Sequence, residues 1–331
     1  MIIQPMNAPV TSRAPTPDTA AGLNGVAALP QLGVIRAHGE QAAQFLQGQL
    51  TQDVVLQPAG TARLAGFCSP KGRLLASFVV CKRSADEFWL VGSADLLART
   101  LKKLSMFVLR AKVKLSDASS ELAVFGMVGE AAQAATNSVA AGAPSTSAGG
   151  QNQAENSASF LAPLPPADGT PRALCIAPAG SPSPAGAALT PTEWDFAAVR
   201  SGVATVTAPV IEAFVPQMLN YESVGGINFK KGCYPGQEVV ARSQFRGAIK
   251  RRAFVGHVAG AAQAGQEVFS VAEPDQPVGV IAQAAPAPGG GTAVIAALQL
   301  SAAQAPDLRV GAPDGPVLGE LRLPYALVED V

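Results

Sequence analysis

One short stretch, residues 228–242, carries more chemically capable side chains than any other part of the sequence. It reads Asn-Phe-Lys-Lys-Gly-Cys-Tyr-Pro-Gly-Gln-Glu-Val-Val-Ala-Arg. Because proline fits the first turn of a helix, Pro235 predicts that a helix begins here. Cys233 then lies just before the helix start, where free amides and the helix dipole favour a thiolate, and Lys230 and Lys231 add positive charge. The pattern predicts a reactive thiol; the alternative is that Cys233 is a small buried hydrophobe beside a glycine turn.

The composition limits the classes of partner. The chain has 331 residues, which favours about two domains, and its formal net charge is zero. No global field therefore steers it toward nucleic acid or an anionic membrane, so such a partner needs a local patch. No apolar run approaches the roughly 20 residues that span a bilayer, and the first residues lack the pattern of a secretion signal. We expect a cytoplasmic location.

The soft metal ligands of the sequence are few and scattered. They are Cys68, Cys81, Cys175, Cys233, His38 and His257. No two cysteines form a Cys-x-x-Cys pair, so the pattern predicts neither a zinc site nor a disulfide framework. The cysteines other than Cys233 lie in strand-like apolar runs and are expected to be buried.

The elements that must position this chemistry follow an α+β pattern. Residues 1–23 are predicted to be a disordered lead-in, and residues 24–249 an α+β region of two interleaved subdomains. The predicted strands of its first half are 33–36, 64–68, 73–82, 87–92, 113–115 and 122–128, and the predicted helices are 39–50, 94–107 and 129–135. A Ser-Pro-Lys-Gly turn at 69–72 predicts a hairpin, and Ser93 is the predicted N-cap of the second helix. Antiparallel strands should dominate.

Composition changes in the second half of the chain. Residues 136–159 have no apolar stripe and Pro163 to Pro171 adds more punctuation, so 136–171 is predicted to be a flexible insertion. A strand at 172–177 follows, and Thr190-Pro-Thr-Glu193 predicts a capping box that opens a helix through Arg200. From residue 250 to 331, short β-prone runs alternate with turn residues. The runs are 254–258, 267–271, 278–282, 292–298 and 321 onward, and they predict a C-terminal β-barrel.

Four motifs in this sequence resemble the YgfZ family, the folate-binding relatives of the glycine-cleavage T-protein (aminomethyltransferase). They are Phe-Leu-Gln-Gly-Gln-Leu-Thr-Gln-Asp-Val at 45–54, Ser-Pro-Lys-Gly-Arg at 69–73, Val-Pro-Gln-Met-Leu at 215–219 and Lys-Gly-Cys-Tyr-Pro-Gly-Gln-Glu at 231–238. The resemblance implies subdomains around a central tetrahydrofolate cavity, the last of them a β-barrel. It also implies a role in making or maintaining iron–sulfur clusters and in supporting certain tRNA-modifying enzymes.

The most specific family motif carries over residue by residue. It falls on Lys231, Gly232, Cys233, Tyr234, Gly236, Gln237 and Glu238, with Pro235 at its variable place. The predicted catalytic pair is Cys233 as nucleophile or transient ligand and Lys231 as the charge that stabilises its thiolate. The predicted contacts to tetrahydrofolate, or to a one-carbon-substituted folate, are Tyr234, Gln237, Glu238, Arg242 and Arg246. Arg242 and Arg246 lie four apart on one helical face and could meet the anionic folate tail, or form an ordinary solvated basic face.

The sequence departs from the aminomethyltransferases at two acidic positions. Near the start of the second helix only Asp95 is present, out of register with the family's acid, and Arg200-Ser-Gly-Val203 has no acid after its arginine. Transfer chemistry would then lose its acid–base partner. The favoured function is a folate-binding accessory protein for iron–sulfur enzymes or assembly proteins. The alternative is an active one-carbon transferase that uses Asp95 or Glu212 as base. A third interpretation, RNA contact through residues 250–252, gives few phosphate contacts and predicts weak binding.

Overall fold

Strand pairing divides the chain into two open antiparallel sheets and a closed barrel. The computed structural model describes residues 19–140, 159–245, 249–305 and 307–328. Its strands are β1 (Gly25–Ala28), β2 (Leu32–His38), β3 (Ala62–Cys68), β4 (Leu74–Lys82), β5 (Glu87–Ser93), β6 (Lys114–Asp117), β7 (Leu122–Val128), β8 (Phe160–Ala167), β9 (Thr170–Pro178), β10 (Arg251–Val258), β11 (Glu267–Ser270), β12 (Glu273–Pro286), β13 (Thr292–Gln299), β14 (Leu308–Val310) and β15 (Val317–Arg322). Its α-helices are α1 (Ala42–Gln47), α2 (Ala94–Ser105), α3 (Glu130–Ala140), α4 (Pro191–Arg200) and α5 (Gln237–Phe245).

Some strands pair with the next strand of the sequence, and others pair with strands far away in the sequence. One sheet has the order β3-β4-β5-β2-β6 and the other β1-β7-β9-β8, while β10-β13-β12-β11-β14-β15 closes as a barrel. The predicted hairpin is confirmed, because β3 pairs antiparallel with β4 across the 69–72 turn. The predicted α+β fold with a C-terminal barrel is therefore confirmed.

Helix α4 joins the open sheets to the barrel. The predicted capping box is confirmed: the Thr190 hydroxyl accepts from the Glu193 amide, and the Glu193 carboxylate accepts from the Thr190 amide. Phe196 on this helix shares one buried core with Tyr221 and with Ile295 of the barrel. Burial of such large side chains stabilises the arrangement and fixes how α4 lies between the two sheets and the barrel.

The structure contradicts the predicted flexible insertion at both of its ends. Residues 141–158 lie outside the described residues, but α3 runs to residue 140 and β8 occupies 160–167, where the sequence predicted punctuation. The prediction was wrong for β8 because Pro163, Pro165 and Pro166 suggested a loop. Strand β8 is at the edge of its sheet, and an edge strand accommodates prolines because its outward amides need no partner strand.

Smaller differences occur at element ends. Residues 1–18 of the predicted lead-in lie outside the described residues, and Ala20 is already fully buried, with its amide donating to Asp168 at 3.0 Å. Ser93 does precede α2, but its hydroxyl donates to the Asp95 carboxylate at 2.6 Å and makes no side-chain bond to a helix amide. The short strands β1 and β14 were not predicted, because four- and three-residue segments carry little periodic signal.

Candidate functional site

The motif around Cys233 forms an exposed turn ahead of α5. The helix begins at Gln237, and Pro235 lies in the turn before it, so Cys233 precedes the helix by four residues. The prediction that Pro235 opens the helix was wrong, because Gly236 has a φ of 79° and a left-handed residue cannot continue into an α-helix. The thiol is exposed to solvent, so the buried-hydrophobe alternative does not hold.

Lys231 ties this turn to the motif at residues 45–54. Its ammonium donates to the carbonyl oxygens of Gln47 and Leu50, the latter at 2.6 Å, and lies 4.7 Å from the centre of the Tyr234 ring. Burial lowers the pKa of Lys231 to about 8, while the charges of Asp53 and Cys233 oppose the shift. The ammonium therefore donates mainly to backbone carbonyls.

The other family motifs pack around the same turn. A side chain at Gly236 would clash with the Ser69 carbonyl and with Gly72, so the 69–73 turn and the cysteine motif meet backbone to backbone. Gln217, from the 215–219 motif, donates through Nε2 to the Val240 carbonyl at 2.6 Å and is fully buried. Motifs that are far apart in sequence thus build one junction, which positions the exposed thiol.

The predicted folate contacts of the motif lie on or beside α5. Tyr234 is buried, and burial raises the pKa of its hydroxyl. Glu238 and Arg242 form an exposed ion pair at 3.0 Å, and Gln237 is half-buried. Arg246 lies outside the described residues. Glu238 and Arg242 border a shallow depression of about 220 Å³.

A much larger cavity lies elsewhere, between the two open sheets, α4 and the barrel. Its volume is about 900 Å³, within the range of small-molecule sites, and none of the motif residues 231–238 lines it. The apolar wall includes Leu64, Phe78, Val91, Leu174 and Trp194. The polar lining includes Gln31, Gln52, Arg63, Asp95, Arg172, Asp195 and Gln283.

A polar cluster inside the cavity is centred on Asp195. Gln31 donates through Nε2 to the Asp195 carboxylate at 3.0 Å, and the Arg172 guanidinium lies 4.5 Å from the centre of the Trp194 ring. Burial raises the pKa of Asp195, against the hydrogen bond from Gln31 and the charge of Arg172. Burial also lowers the pKa of Arg172 to about 9, which leaves it charged at neutral pH. The cluster holds a carboxylate acceptor and a cationic donor within one apolar chamber.

Arg172 has hydrogen-bonding capacity that the protein does not use. Its side chain is buried, it donates at 3.5 Å to the Pro165 carbonyl, and its Nε has no partner among the described residues. A buried donor without an acceptor is costly, so this Nε calls for an explanation. No sequence motif singles out Arg172 or Asp195. The signal in the sequence is an acidic residue between Trp194 and Phe196, inside an otherwise apolar run of the helix.

The two acids proposed for transfer chemistry have different surroundings. Asp95 lines the cavity, but its carboxylate accepts from the Ser93 hydroxyl at 2.6 Å and from the Ala208 amide at 2.8 Å. Glu212 is exposed, has a φ of 59° and does not line the cavity. Asp195 is the cavity carboxyl whose pKa burial raises.

The remaining cysteines are structural by their surroundings. Cys68, Cys81 and Cys175 are buried, as predicted, and burial raises the pKa of each thiol, to about 12 for Cys68. In the described ranges, no three or more His, Cys, Asp or Glu side chains gather as a metal site. No described helix is both long and apolar enough to cross a membrane.

The predicted RNA contact at residues 250–252 is largely lost in the structure. Arg252 is buried, and its guanidinium donates to the Glu222 carboxylate and to the Gln217 carbonyl. Of the three cations only Lys250 is fully exposed. One exposed charge does not make a phosphate-binding surface.

Comparison with known proteins identifies the relatives of this chain. The sequence model of one protein family, the GCVT N-terminal domain, matches residues 18–148 of this chain. The tRNA-modifying protein YgfZ of Edwardsiella ictaluri is 33% identical over 66% of this chain and 67% of its own length. The tRNA-modifying protein YgfZ of Vibrio vulnificus is 31% identical over 68% of both chains.

Among solved structures, the glycine cleavage system aminomethyltransferase T from Bartonella henselae has a similar fold. The TM-score is 0.61 with 14% sequence identity, over 93% of this chain and 88% of that one. This likeness concerns the fold alone, whereas the YgfZ relatives share sequence over two thirds of their length. The chain belongs to the YgfZ family and has the fold of the glycine-cleavage T protein.

Proposed function

We propose that this protein binds a reduced folate in the 900 Å³ cavity and supports tRNA-modifying enzymes that depend on iron–sulfur clusters. The observation that carries the proposal is the Asp195–Arg172 cluster inside that chamber. The names of the YgfZ relatives support the link to tRNA modification. Cys233 supplies the exposed thiol for the accessory role, and Lys231 holds the turn that presents it.

The lining of the cavity fits the chemistry of tetrahydrofolate. A pterin ring has an N–H edge that a carboxylate can accept from and a carbonyl that a guanidinium can donate to, which matches the two charged lining residues Asp195 and Arg172. Apolar walls such as Phe78 and Leu174 would enclose the flat rings. When bound, tetrahydrofolate supplies ring nitrogens that carry one-carbon units. Arg63, half-buried in the lining, is placed to meet an anionic tail.

The protein's own groups orient such a ligand and exclude water. Gln31 donates to one oxygen of the Asp195 carboxylate, which leaves the acceptor capacity of the other oxygen for a ligand. The carboxylate must be ionised to accept from two ligand N–H groups, and the nearby Arg172 charge favours that form. We also propose that Tyr234, Gln237, Glu238, Arg242 and Arg246 form the second candidate place for the folate or its tail.

Titration of tetrahydrofolate under anaerobic conditions tests both placements. We expect saturable binding that Asp195→Asn weakens by about tenfold to a hundredfold, the value of a charge-assisted hydrogen bond of roughly 1.5–3 kcal/mol. Arg242→Gln is the matched control and should leave the affinity unchanged. The opposite result, a loss with Arg242→Gln alone, would move the ligand to the motif. Lack of binding by the unchanged protein at millimolar ligand would overturn the folate proposal.

An active one-carbon transferase is the second candidate, because the cavity holds two carboxyl groups, Asp95 and Asp195. In this case the protein would catalyse turnover with tetrahydrofolate and a formaldehyde-equivalent donor. Formation of methylene-tetrahydrofolate above the uncatalysed rate, lost in Asp195→Asn or Asp95→Asn, would support it. We favour the accessory role because both oxygens of Asp95 are engaged by the protein and Glu212 lies outside the cavity.

A further inference from the structure

Positive charge is concentrated in one segment of this neutral protein. Between residues 96 and 116 the sequence contains no Asp or Glu. Its cations are Arg99, Lys102, Lys103, Arg110, Lys112 and Lys114. Lys112 pairs with Glu40 at 2.6 Å, and among the described residues no carboxylate forms an ion pair with the other five. These charges are therefore available to an anionic partner.

Helix α2 orders part of this charge into a stripe. Leu96, Leu97 and Leu104 are buried, so the apolar face of the helix is turned toward the protein core. On the opposite face the spacing of Arg99, Lys102, Lys103 and Met106 is i, i+3, i+4 and i+7, which aligns their side chains along one side. One turn before Arg99, on the same side of the helix, lies Asp95, and Asp95 lines the cavity.

The turn after α2 exposes large apolar side chains beside the cations. Met106 is 69% exposed, Phe107 45% and Leu109 86%. Three large apolar side chains exposed within four residues are unusual for a protein surface, and such patches commonly mark an interaction site. Arg110 follows directly and is exposed as well.

We infer that residues 99–114, the α2 surface, bind RNA, and that the RNA is tRNA. The inference rests on the proposed role in tRNA modification for its choice of RNA and names a direct partner for it. Cations along an outward helix face neutralise backbone phosphates, which contribute most of the non-specific affinity. The exposed ring of Phe107 can stack on an unpaired base, as loops and ends of RNA offer.

The direction of the apolar face favours RNA over an anionic membrane. A helix that binds at a bilayer interface turns its apolar face outward into the lipid. Helix α2 instead buries its leucines and presents Arg99, Lys102 and Lys103. At 1.5 Å per residue, the helix axis from Met106 to Asp95 is about 16 Å long. RNA lying along the cations between them therefore reaches Asp95 at the rim of the cavity.

Fluorescence anisotropy with labelled tRNA tests the surface directly. We expect the triple variant Arg99→Gln, Lys102→Gln and Lys103→Gln to weaken binding by about tenfold or more at 0.15 M salt. The slope of log affinity against log salt should fall by about three, one for each lost phosphate contact. The control Lys71→Gln, Lys230→Gln and Lys250→Gln removes the same charge from other exposed positions and should bind like the unchanged protein. Equal losses in both triple variants would overturn the inference, because only total charge would then matter.

Phe107→Leu separates RNA from membrane, because it keeps an apolar side chain and removes the ring. We expect tRNA affinity to fall about fivefold or more, as for a lost stacking contact. Vesicles of phosphatidylcholine with phosphatidylglycerol provide the second arm. Binding to these vesicles that depends on the three cations, without tRNA binding, would overturn the inference in favour of a membrane.

The folate proposal and this inference can fail separately. tRNA binding is measured without folate, and the cationic triple variant should keep the tetrahydrofolate affinity and the melting temperature of the unchanged protein. Folate binding without tRNA binding would overturn the α2 surface alone. tRNA binding without folate binding would leave the surface standing and overturn the ligand of the cavity.

Discussion

Asp195 shows how the surroundings of a single residue shift its protonation equilibrium. Its surroundings raise its pKa by desolvation, and only Gln31 and Arg172 oppose the shift. A protein selected for stability alone would replace a carboxyl in such a place with a neutral side chain. Perturbed groups in a cavity are for this reason candidates for function.

The protonation of Asp195 yields a stability prediction with a definite sign. Since its folded-state pKa is raised, the folded protein binds more protons than the unfolded chain above the ordinary carboxyl pKa, so stability falls as pH rises through this window. Asp195→Asn removes that cost and can still accept from Gln31. We expect an equal or higher melting temperature at pH 7 together with weaker folate binding. Folate affinity of the unchanged protein should decrease on acidification, and the decrease should begin at a pH above the range in which an ordinary aspartate titrates. A lower melting temperature for Asp195→Asn would mean that the group is structural.

The thiol of Cys233 differs from the other three in exposure, which gives a test by alkylation. Burial raises the pKa of Cys68 to about 12 from an ordinary value of 9.0. At neutral pH its thiolate fraction is therefore about a thousandfold lower than that of an ordinary, solvent-exposed cysteine. We expect iodoacetamide to label Cys233 first, with Cys68, Cys81 and Cys175 labelled only after unfolding; mass spectrometry of the modified peptides gives the order. Cys233→Ser should fold normally yet fail to support iron–sulfur enzyme activity in cells. Full activity of this variant would reduce the thiol to a surface side chain.

Residue identity predicts the thiol, and the family resemblance predicts a central cavity, but neither predicts which residues line that cavity. Cys233 was found because its neighbours in sequence are also its neighbours in space. The cavity residues Gln31, Arg63, Arg172 and Asp195 come from separate segments, and each has an ordinary local context. Their chemistry exists only after two sheets, α4 and the barrel enclose one space, and no local pattern encodes that enclosure.

At the scale of elements, the sequence predicts a helix start or a turn correctly where a single local contact determines it. The capping box at Thr190 and the hairpin turn at 69–72 are of this kind. The prediction of a loop at β8 was wrong because its prolines are acceptable only at a sheet edge, and the position of a strand at an edge is a property of the assembled sheet. The predicted start of α5 was wrong because Gly236, the residue after Pro235, has a left-handed φ and approaches Gly72 closely, a contact made only in the folded chain.

The junction of the family motifs can be tested with two glycines of the same turn. Gly236 has a φ of 79°, and a Cβ there would clash with Ser69 and Gly72, whereas a Cβ at Gly232 meets nothing within 4 Å. We expect Gly236→Ala to reduce the free energy of unfolding by at least about 1–2 kcal/mol, the cost of a left-handed alanine before the clash is added. Gly232→Ala should lie within about 0.5 kcal/mol of the unchanged protein. Chemical denaturation measures both, and equal effects would contradict the backbone contact.

At the scale of the whole molecule, polar contacts join the barrel to the rest of the fold alongside the apolar packing. Arg252 of β10 pairs with Glu222, both nearly inaccessible to solvent. Asp168, between β8 and β9, accepts from Arg200 at 2.7 Å and from Arg322 of β15. Such contacts specify one relative placement of the layers, and a cavity between layers keeps its shape only while that placement holds.

Ligand binding should therefore stabilise all walls of the cavity together. Reduced folate at a free concentration 100-fold above its dissociation constant should raise the free energy of unfolding by about 2.7 kcal/mol by linkage. Hydrogen exchange should show added protection in β4, β9, α4 and β12, each of which contributes lining residues, and little in β14, which contributes none. The segment 228–245 is the internal comparison, because it carries the motif but does not line the cavity. Protection limited to that segment would place the ligand at the motif, because a folate held in the chamber contacts two sheets, a helix and the barrel at once.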